Sequence, residues 1–254
     1  MEIPLFPLHA VLCPGVALPL HIFEPRYRLM IRRCLAEDRP FGVVWIRDGR
    51  DVGVADLAVA AVGTLAEIRE ADRYADGRYD IVTVGTGRFR IRTVDTVSEP
   101  YLTATVEPLD EVIGDQERAT SLVRLVTRRF VRYVDAVREL LDEADPAGAA
   151  PSARRQGLVE RSEPDALGSD ADRRPGEVAD RSGLAMPADP LLLSHLLAGI
   201  VEVDPVHRQA LLEAPTAVAR LEALADLLAR ETIYLDNGLR VVRPDPVVGT
   251  GARN

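Results

Sequence analysis

The chain has 254 residues, 47% of them hydrophobic and 28% charged, which is enough to bury a core and solvate a surface and excludes a disordered chain. The net charge of -9 argues against a surface built to neutralise nucleic-acid phosphates. All 31 basic residues are arginine. That excludes a Schiff-base lysine, a Walker A lysine and a Ser-Lys peptidase dyad.

Taken in chain order, the first part to about Pro108 reads mostly as strands. Val11 to Leu20 is apolar and broken by Pro14-Gly15 and Pro19. One helix interrupts the strands. Over Glu24 to Glu37, Tyr27, Met30, Ile31, Cys34 and Leu35 recur at helical spacing, and Pro25 suits the first turn, where a missing N–H costs nothing. Phe41 to Ile46 is a continuous apolar run, and Trp45 within it reads as core. Val59 to Arg69 is a further strand. Asp76-Gly77 marks a hairpin turn before Ile81 to Val84. From Arg88 to Val94 the alternation puts Phe89 and Ile91 on one face and Arg88, Arg90 and Arg92 on the other. Gly85-Thr86-Gly87 is a lone G-x-G with Arg90 where a third glycine would stand, so it reads as glycines flanking a hairpin and not as a dinucleotide fingerprint. Leu102, Ala104 and Val106 alternate with Tyr101, Thr103 and Thr105.

The second part is helical. From Asp115 to about Glu143, Leu122, Val126, Phe130, Tyr133, Val137 and Leu141 form one apolar stripe. Asp189-Pro190 and Asp204-Pro205 each read as an N-cap followed by proline, opening helices over Pro190 to Val203 and Pro205 to Glu213. A last helix runs from about Thr216 to Leu235. Strands first and helices afterwards indicate an α+β fold. Residues 144–187 are rich in Ala, Gly, Ser, Pro, Asp and Arg, and are expected to form a mobile insertion. The expected divisions are a β part over 1–110, a helical part over 111–143 and 188–236, the insertion, and a loose tail over 237–254.

Several of these segments also form a family pattern. Ile3-Pro4-Leu5-Phe6-Pro7-Leu8, Cys13-Pro14-Gly15 and Leu18-Pro19-Leu20-His21-Ile22-Phe23-Glu24-Pro25-Arg26-Tyr27 resemble the start of the N-terminal substrate-binding domain of Lon proteases. Phe41-Gly42-Val43-Val44, Val62-Gly63-Thr64, Asp76-Gly77-Arg78 and Gly87-Arg88-Phe89-Arg90-Ile91 follow in the family's order. Arg208-Gln209-Ala210-Leu211-Leu212-Glu213 and Arg220-Leu221-Glu222 resemble its closing helices. The resemblance implies a PUA-like β pseudo-barrel with one inserted helix, followed by a C-terminal helical bundle. It implies a domain that contacts unfolded or degron-bearing polypeptide, working as an adaptor or regulator in protein quality control with a separate protease or chaperone. It also places the end of the chain where a protease would begin its ATPase part, so a non-catalytic binding module is expected.

The candidate contact residues lie at the strand-to-helix junction. By resemblance, Phe23 and Tyr27 would be apolar anchors and Glu24, Arg26 and Arg28 polar contacts; the alternative is Phe23 and Tyr27 in the core beneath surface arginines. Arg88 and Arg90 would hold a carboxylate or phosphate, or else line a solvated strand face. His9, Cys13, His21 and Cys34 have no C-x-x-C or H-x-x-x-H spacing, so neither a metal nor a cofactor is expected. His195 and His207 read as structural. Only two cysteines, no basic leader and no long apolar run point to a cytoplasmic protein. RNA binding by a PUA-like barrel is the alternative function, and a membrane partner is excluded.

Overall fold

The structure, a computed structural model, describes residues 1–48, 58–144, 177–179 and 185–236. The expected tail and nearly all of the expected insertion lie outside them. The order is β1 (Glu2–Leu8), β2 (Ala17–Ile22), α1 (Pro25–Glu37), β3 (Phe41–Asp48), β4 (Ala58–Val59), β5 (Val62–Arg73), β6 (Tyr79–Asp95) and β7 (Thr103–Pro108). Then follow α2 (Gln116–Ala144), β8 (Glu177–Ala179), β9 (Ala185–Pro187), α3 (Pro190–Ile200), α4 (Pro205–Glu213) and α5 (Ala217–Asp236). The fold is α+β, as the order of strand and helix signals predicts.

Strand β1 pairs with β7 through residues 2–4 and with β3, in parallel, through residues 5–8. This change of partner closes the path β1–β7–β6–β5–β3 back onto β1, so five strands form a ring. Closure removes most free strand edges. The 17-residue β6 is its spine: β5 pairs with it from Tyr79 to Arg90, β2 from Tyr79 to Val84 and β7 from Phe89 to Asp95. Phe89 points inward among Ile3, Leu5, Val44, Leu102, Ala104 and Val106. Its ring fits because a Cβ on Gly42 or Gly63 would stand 2.7 or 2.6 Å from the ring edge. Those two positions must therefore be glycine.

Helix α1 covers one side of the ring. Tyr27, Met30, Ile31 and Cys34, at spacings of three and four, pack on Phe6, Leu12, Phe41, Val43, Tyr79 and Ile81. Helices α2 to α5 share a separate cluster with Val11, Cys13 and Val62 of the β part. Asp115 caps the first turn of α2, Asp189 that of α3 and Thr216 that of α5. Asp204 makes no such side-chain bond at α4, so there the proline alone marks the start.

The two parts meet at a buried ionic knot. Arg88 on β6 is only 3% exposed. Its Nε donates to Glu111 Oε1 at 2.7 Å, and its Nη1 donates to the carbonyls of Leu212 and Ala214 at 2.7 and 2.8 Å. Arg220 on α5, with no exposed surface, donates to the Leu211 carbonyl at 3.0 Å and to Ser194 Oγ at 2.9 Å. His195 Nε2 stands 3.0 Å from Glu111 Oε2. Two buried cations thus face one carboxylate. The remaining negative charge comes from the carbonyls ending α4, the negative pole of that helix.

Charges in this knot follow from the packing. Burial alone would push the Glu111 carboxyl up, but hydrogen bonds from His195 and Arg88 bring it down to about 2. Burial, with the nearby Arg220 and Arg88 charges, pushes the His195 imidazole below its ordinary value. A neutral His195 must carry its proton on Nε2 to face the carboxylate. Nδ1 is then a buried acceptor without a partner among the described residues.

The structure corrects three sequence expectations. Arg88 does not lie on a solvated face: the alternation places it outside the ring, but the helices cover that stretch of β6. Gly85-Thr86-Gly87 does not flank a hairpin. It lies within β6 at a β-bulge, where Gly85 pairs with Ala66 and Gly87 with Leu65. The insertion is not loop throughout, because β8 and β9 pair within it and Met186 joins the helical core.

Buried and exposed arginines should differ in what they contribute to stability. Arg88→Met leaves the knot's carboxylate and carbonyls without their main donor and is expected to cost on the order of 3 kcal/mol in urea unfolding. Arg92→Gln, which breaks the exposed pair with Glu107, is expected to cost less than about 1 kcal/mol. The melting temperature should also fall in acid in two stages. Unfolded His195 takes up a proton below its ordinary value of 6.5 while the folded form resists, so stability present above pH 6.5 is lost as pH drops below it. Glu111 repeats this from its ordinary value of 4.5 down to about 2. His195→Gln should flatten the first stage and keep the second; an unchanged profile in the variant would refute this assignment.

Candidate functional site

The side of the ring away from the knot carries a surface built by the β2–α1 junction and the β5–β6 hairpin. The hairpin turns where Asp76-Gly77 predicts. Tyr74 N–H donates to the Arg78 carbonyl at 2.9 Å, and Gly77, at φ +85°, holds the left-handed position. Pairing of β2 with β6 sets His21 opposite Asp80.

That register builds an exposed polar and aromatic shelf. His21 Nδ1 donates to Asp80 Oδ1 at 2.5 Å, and Tyr74 Oη donates to Asp80 Oδ2 at 2.5 Å. Arg78, which can only donate, lies 3.5 Å from His21 Nε2 and so fixes the Nδ1–H tautomer. Bonds from Tyr74 and then His21 hold the Asp80 carboxyl below the usual carboxylate range, while the bond to Asp80 pushes the Tyr74 phenol up. Phe23 stacks on His21 with ring centroids 6.2 Å apart and remains 60% exposed. Among the described residues no serine, threonine or cysteine is hydrogen-bonded to His21. The arrangement presents an exposed ring for contact, and none of those three residue types is placed there for His21 to activate as a nucleophile.

Beside the shelf, Pro25, Arg28, Leu29, Arg32, Arg73, Gly77 and Tyr79 line a small cavity of about 140 Å³. Arg28 and Arg32 are four apart on α1 and share a face. Arg73 lies over the Tyr79 ring, 6.0 Å from its centroid. The Arg28 guanidinium rests on Gly77, where a Cβ would come within 3.2 Å of Nη2. On the other flank of α1 a second cavity of about 350 Å³ includes Arg33, Cys34, Glu99 and Tyr101. Arg33 is already bound to Glu99 at 2.6 Å and to Tyr101 Oη at 2.8 Å, and Arg39, which also lines it, to Glu37 at 2.9 Å.

The structure divides the residues singled out from sequence. Phe23 is exposed and Arg28 lines the smaller cavity. Glu24 and Arg26 pair with each other at 2.9 Å. Tyr27 is 4% exposed and packs 4.4 Å from the Phe6 ring, so it belongs to the core. Arg90 is exposed beside Glu107, and Arg88 is in the knot. Arg88 and Arg90 lie about 30 and about 36 Å along β6 from the hairpin end of that strand. His21 was weighed only as a metal ligand, and Tyr74, Arg32, Arg73 and Tyr79 were not singled out. Arg32 was detectable as Arg28 plus one helical turn; the others are placed by strand register. Cys13 and Cys34 sit in separate clusters, with burial pushing both thiols up to about 11. No group able to hold a metal ion occurs among the described residues.

Comparison with known proteins places this surface in context. The profile of the ATP-dependent protease La (LON) substrate-binding domain matches residues 2–230. The chain belongs to the Lon substrate-binding domain family. Lon protease 2 of Myxococcus xanthus is 29% identical over 241 residues, covering 92% of this chain and 24% of that protease. Lon protease 1 of Thermus thermophilus is 26% identical over 233 residues, covering 91% of this chain. The chain thus spans about a quarter of the length of these proteases. Protein cereblon of Xenopus tropicalis is 24% identical over 257 residues, covering 91% of this chain and 54% of cereblon. The Lon N-terminal domain protein of Xanthomonas campestris shares the fold, with TM-score 0.53, 23% identity and coverage of 90% and 98% of the two chains. So does the N-terminal domain of Mycobacterium avium complex Lon protease, with TM-score 0.56, 16% identity and the same coverage.

Within this Lon domain, neighbouring aromatics at the junction should respond oppositely to truncation. Tyr27→Ala is expected to cost about 3–5 kcal/mol in urea unfolding, and Phe23→Ser no more than about 0.5 kcal/mol. Equal losses at the two positions would contradict a buried Tyr27 beside an exposed Phe23.

Proposed function

We propose that the chain is a non-catalytic polypeptide-binding module that recognises unfolded or degron-bearing substrates through the β2–α1 junction and the β5–β6 hairpin. The observation that carries this reading is Phe23, a large aromatic left 60% exposed at the start of a helix and steadied by His21. An exposed aromatic side chain has few rotatable bonds to fix and a large apolar area to bury, which makes it an efficient anchor. Membership of a substrate-binding family supports the same reading.

In this reading the strand ring is a PUA-like pseudo-barrel over residues 1–110 and carries recognition. The helices over 111–143 and 188–236 form a bundle that supports it from the opposite side. The module would work as an adaptor or regulator in cytoplasmic protein quality control, presenting substrates to a separate protease or chaperone. Besides Phe23, the contacts are Arg28 and the hairpin side chains Tyr74 and Arg78. Arg88 has no part in them, because all its donors are engaged in the knot.

The test uses reduced, carboxymethylated α-lactalbumin, which stays unfolded, with native α-lactalbumin as control. The full chain should bind the unfolded form, and Phe23→Ser should weaken that binding about tenfold, the equivalent of ~1.4 kcal/mol, without shifting the melting temperature. Equal affinity for native and unfolded forms, or an unaffected variant, would count against the junction as the recognition surface.

A further inference from the structure

We propose that the cavity between α1 and the β5–β6 hairpin is a subsite for the carboxylate side chain of an acidic polypeptide, an inference that rests on the polypeptide-binding reading above. The first ground is unbalanced charge. Arg28, Arg32 and Arg73 converge on one cavity whose lining contains no acidic residue. Acidic residues outnumber basic ones 40 to 31 in this chain, and many arginines elsewhere find them, although Arg90, Arg124 and Arg128 also have no ion pair among the described residues. Arg26 pairs with Glu24, Arg33 with Glu99, Arg39 with Glu37, Arg69 with Glu67 and Arg118 with Glu222. None of the three cavity arginines has an ion pair among the described residues. Asp76, whose carboxyl feels the Arg28 charge, gives one oxygen to the Arg78 backbone N–H at 3.1 Å and the other to Arg78 Nε at 2.7 Å.

Guanidinium groups keep their charge, so three lining one cavity make it attractive to an anion from outside. A planar fork also matches a carboxylate with two parallel bonds. Size sets the second constraint. A cavity of about 140 Å³ holds a side chain and lies well below the roughly 300–1,000 Å³ of sites for drug-sized ligands. It leaves no room for a nucleotide. The third ground is the neighbour. Pro25 lines the cavity, and Phe23 stands two residues before it, within about 7 Å along the backbone. An extended peptide rises about 3.3 Å per residue, so an acidic residue in the cavity puts an apolar residue one or two positions away on Phe23. The surface therefore selects an acidic residue close to an apolar one.

The test uses three fluorescein-labelled 12-residue peptides of Gly, Ser and Ala carrying a Leu two residues from Glu, Gln or Arg. Polarisation with the full chain should show the Glu peptide binding about tenfold tighter than the Gln peptide, and the Arg peptide weakest. In the triple variant Arg28→Gln, Arg32→Gln, Arg73→Gln the Glu preference should fall below twofold with the Gln peptide unaffected. Should that variant not reach the wild-type melting temperature, Arg32→Glu and Arg73→Glu, both at exposed positions, should show the same fall. Equal binding of Glu and Gln peptides overturns the subsite but leaves polypeptide binding standing. Binding of no peptide at all, with unfolded α-lactalbumin also ignored, overturns both. Inorganic phosphate competing at the Glu peptide's own affinity, or a 12-nucleotide oligouridine binding tighter than any peptide through the same arginines, would assign the cavity to another ligand and overturn the proposal.

Discussion

Two guanidiniums buried against one carboxylate hold the strand ring to the helices, and the rest of the molecule is arranged around satisfying them. Glu111 cannot neutralise Arg88 and Arg220 alone. The carbonyls of Leu211, Leu212 and Ala214 supply what it lacks, so the end of α4 is fixed in place by its dipole as well as by its packing. Because α4, α5, α3 and β6 all contribute, none can move without exposing or orphaning a charge. A hydrophobic interface alone would tolerate sliding; this one specifies a single register. Uncompensated buried charge costs more than a lost apolar contact, which is why the knot outweighs any surface ion pair in the molecule.

Rigidity at that joint leaves the opposite side of the ring available for recognition. Helix α1 is anchored by Tyr27, Met30, Ile31 and Cys34, so its other faces are presented without play. Both cavities flank this one helix, and they differ in electrostatic state. Where Arg33 is matched by Glu99 and Arg39 by Glu37, the larger cavity is one whose arginines are all paired. In the smaller one, Arg28, Arg32 and Arg73 meet no carboxylate. Charge balance therefore separates a structural hollow from a binding one better than volume does.

Much of the fold was legible in the sequence because it is local. The 3.6-residue stripe of α2, the Asp-Pro pairs opening α3 and α4, and the Asp76-Gly77 turn are each set by a few neighbouring residues. What was hidden depends on distant parts of the chain. The alternation around Phe89 correctly put Arg88 outside the ring, but no local pattern says that helices more than a hundred residues later cover that spot. A strand face reads as solvated until its cover is known. The same limit applies to the site. Phe23 and Arg28 were visible as an aromatic and a cation near a helix start, yet Tyr27 between them faces the core because helical geometry turns it through about 100° per residue. Arg73 and Tyr79 enter only when β5 and β6 pair back across α1.

An acidic protein with a basic cavity looks contradictory only if net charge is taken to act at contact distance. At physiological ionic strength the field of the whole molecule decays over about 8 Å, so the -9 total shapes solubility and slows the approach of acidic partners more than it alters a docked pair. Inside the cavity the relevant charges are the three guanidiniums and whatever enters between them. A surface that repels acidic chains at long range and holds them at short range rejects acidic proteins that lack an accessible residue of the right spacing. Selectivity then comes from whether a segment can extend and place its carboxylate beside an apolar side chain, which a folded domain rarely permits and an unfolded one readily does.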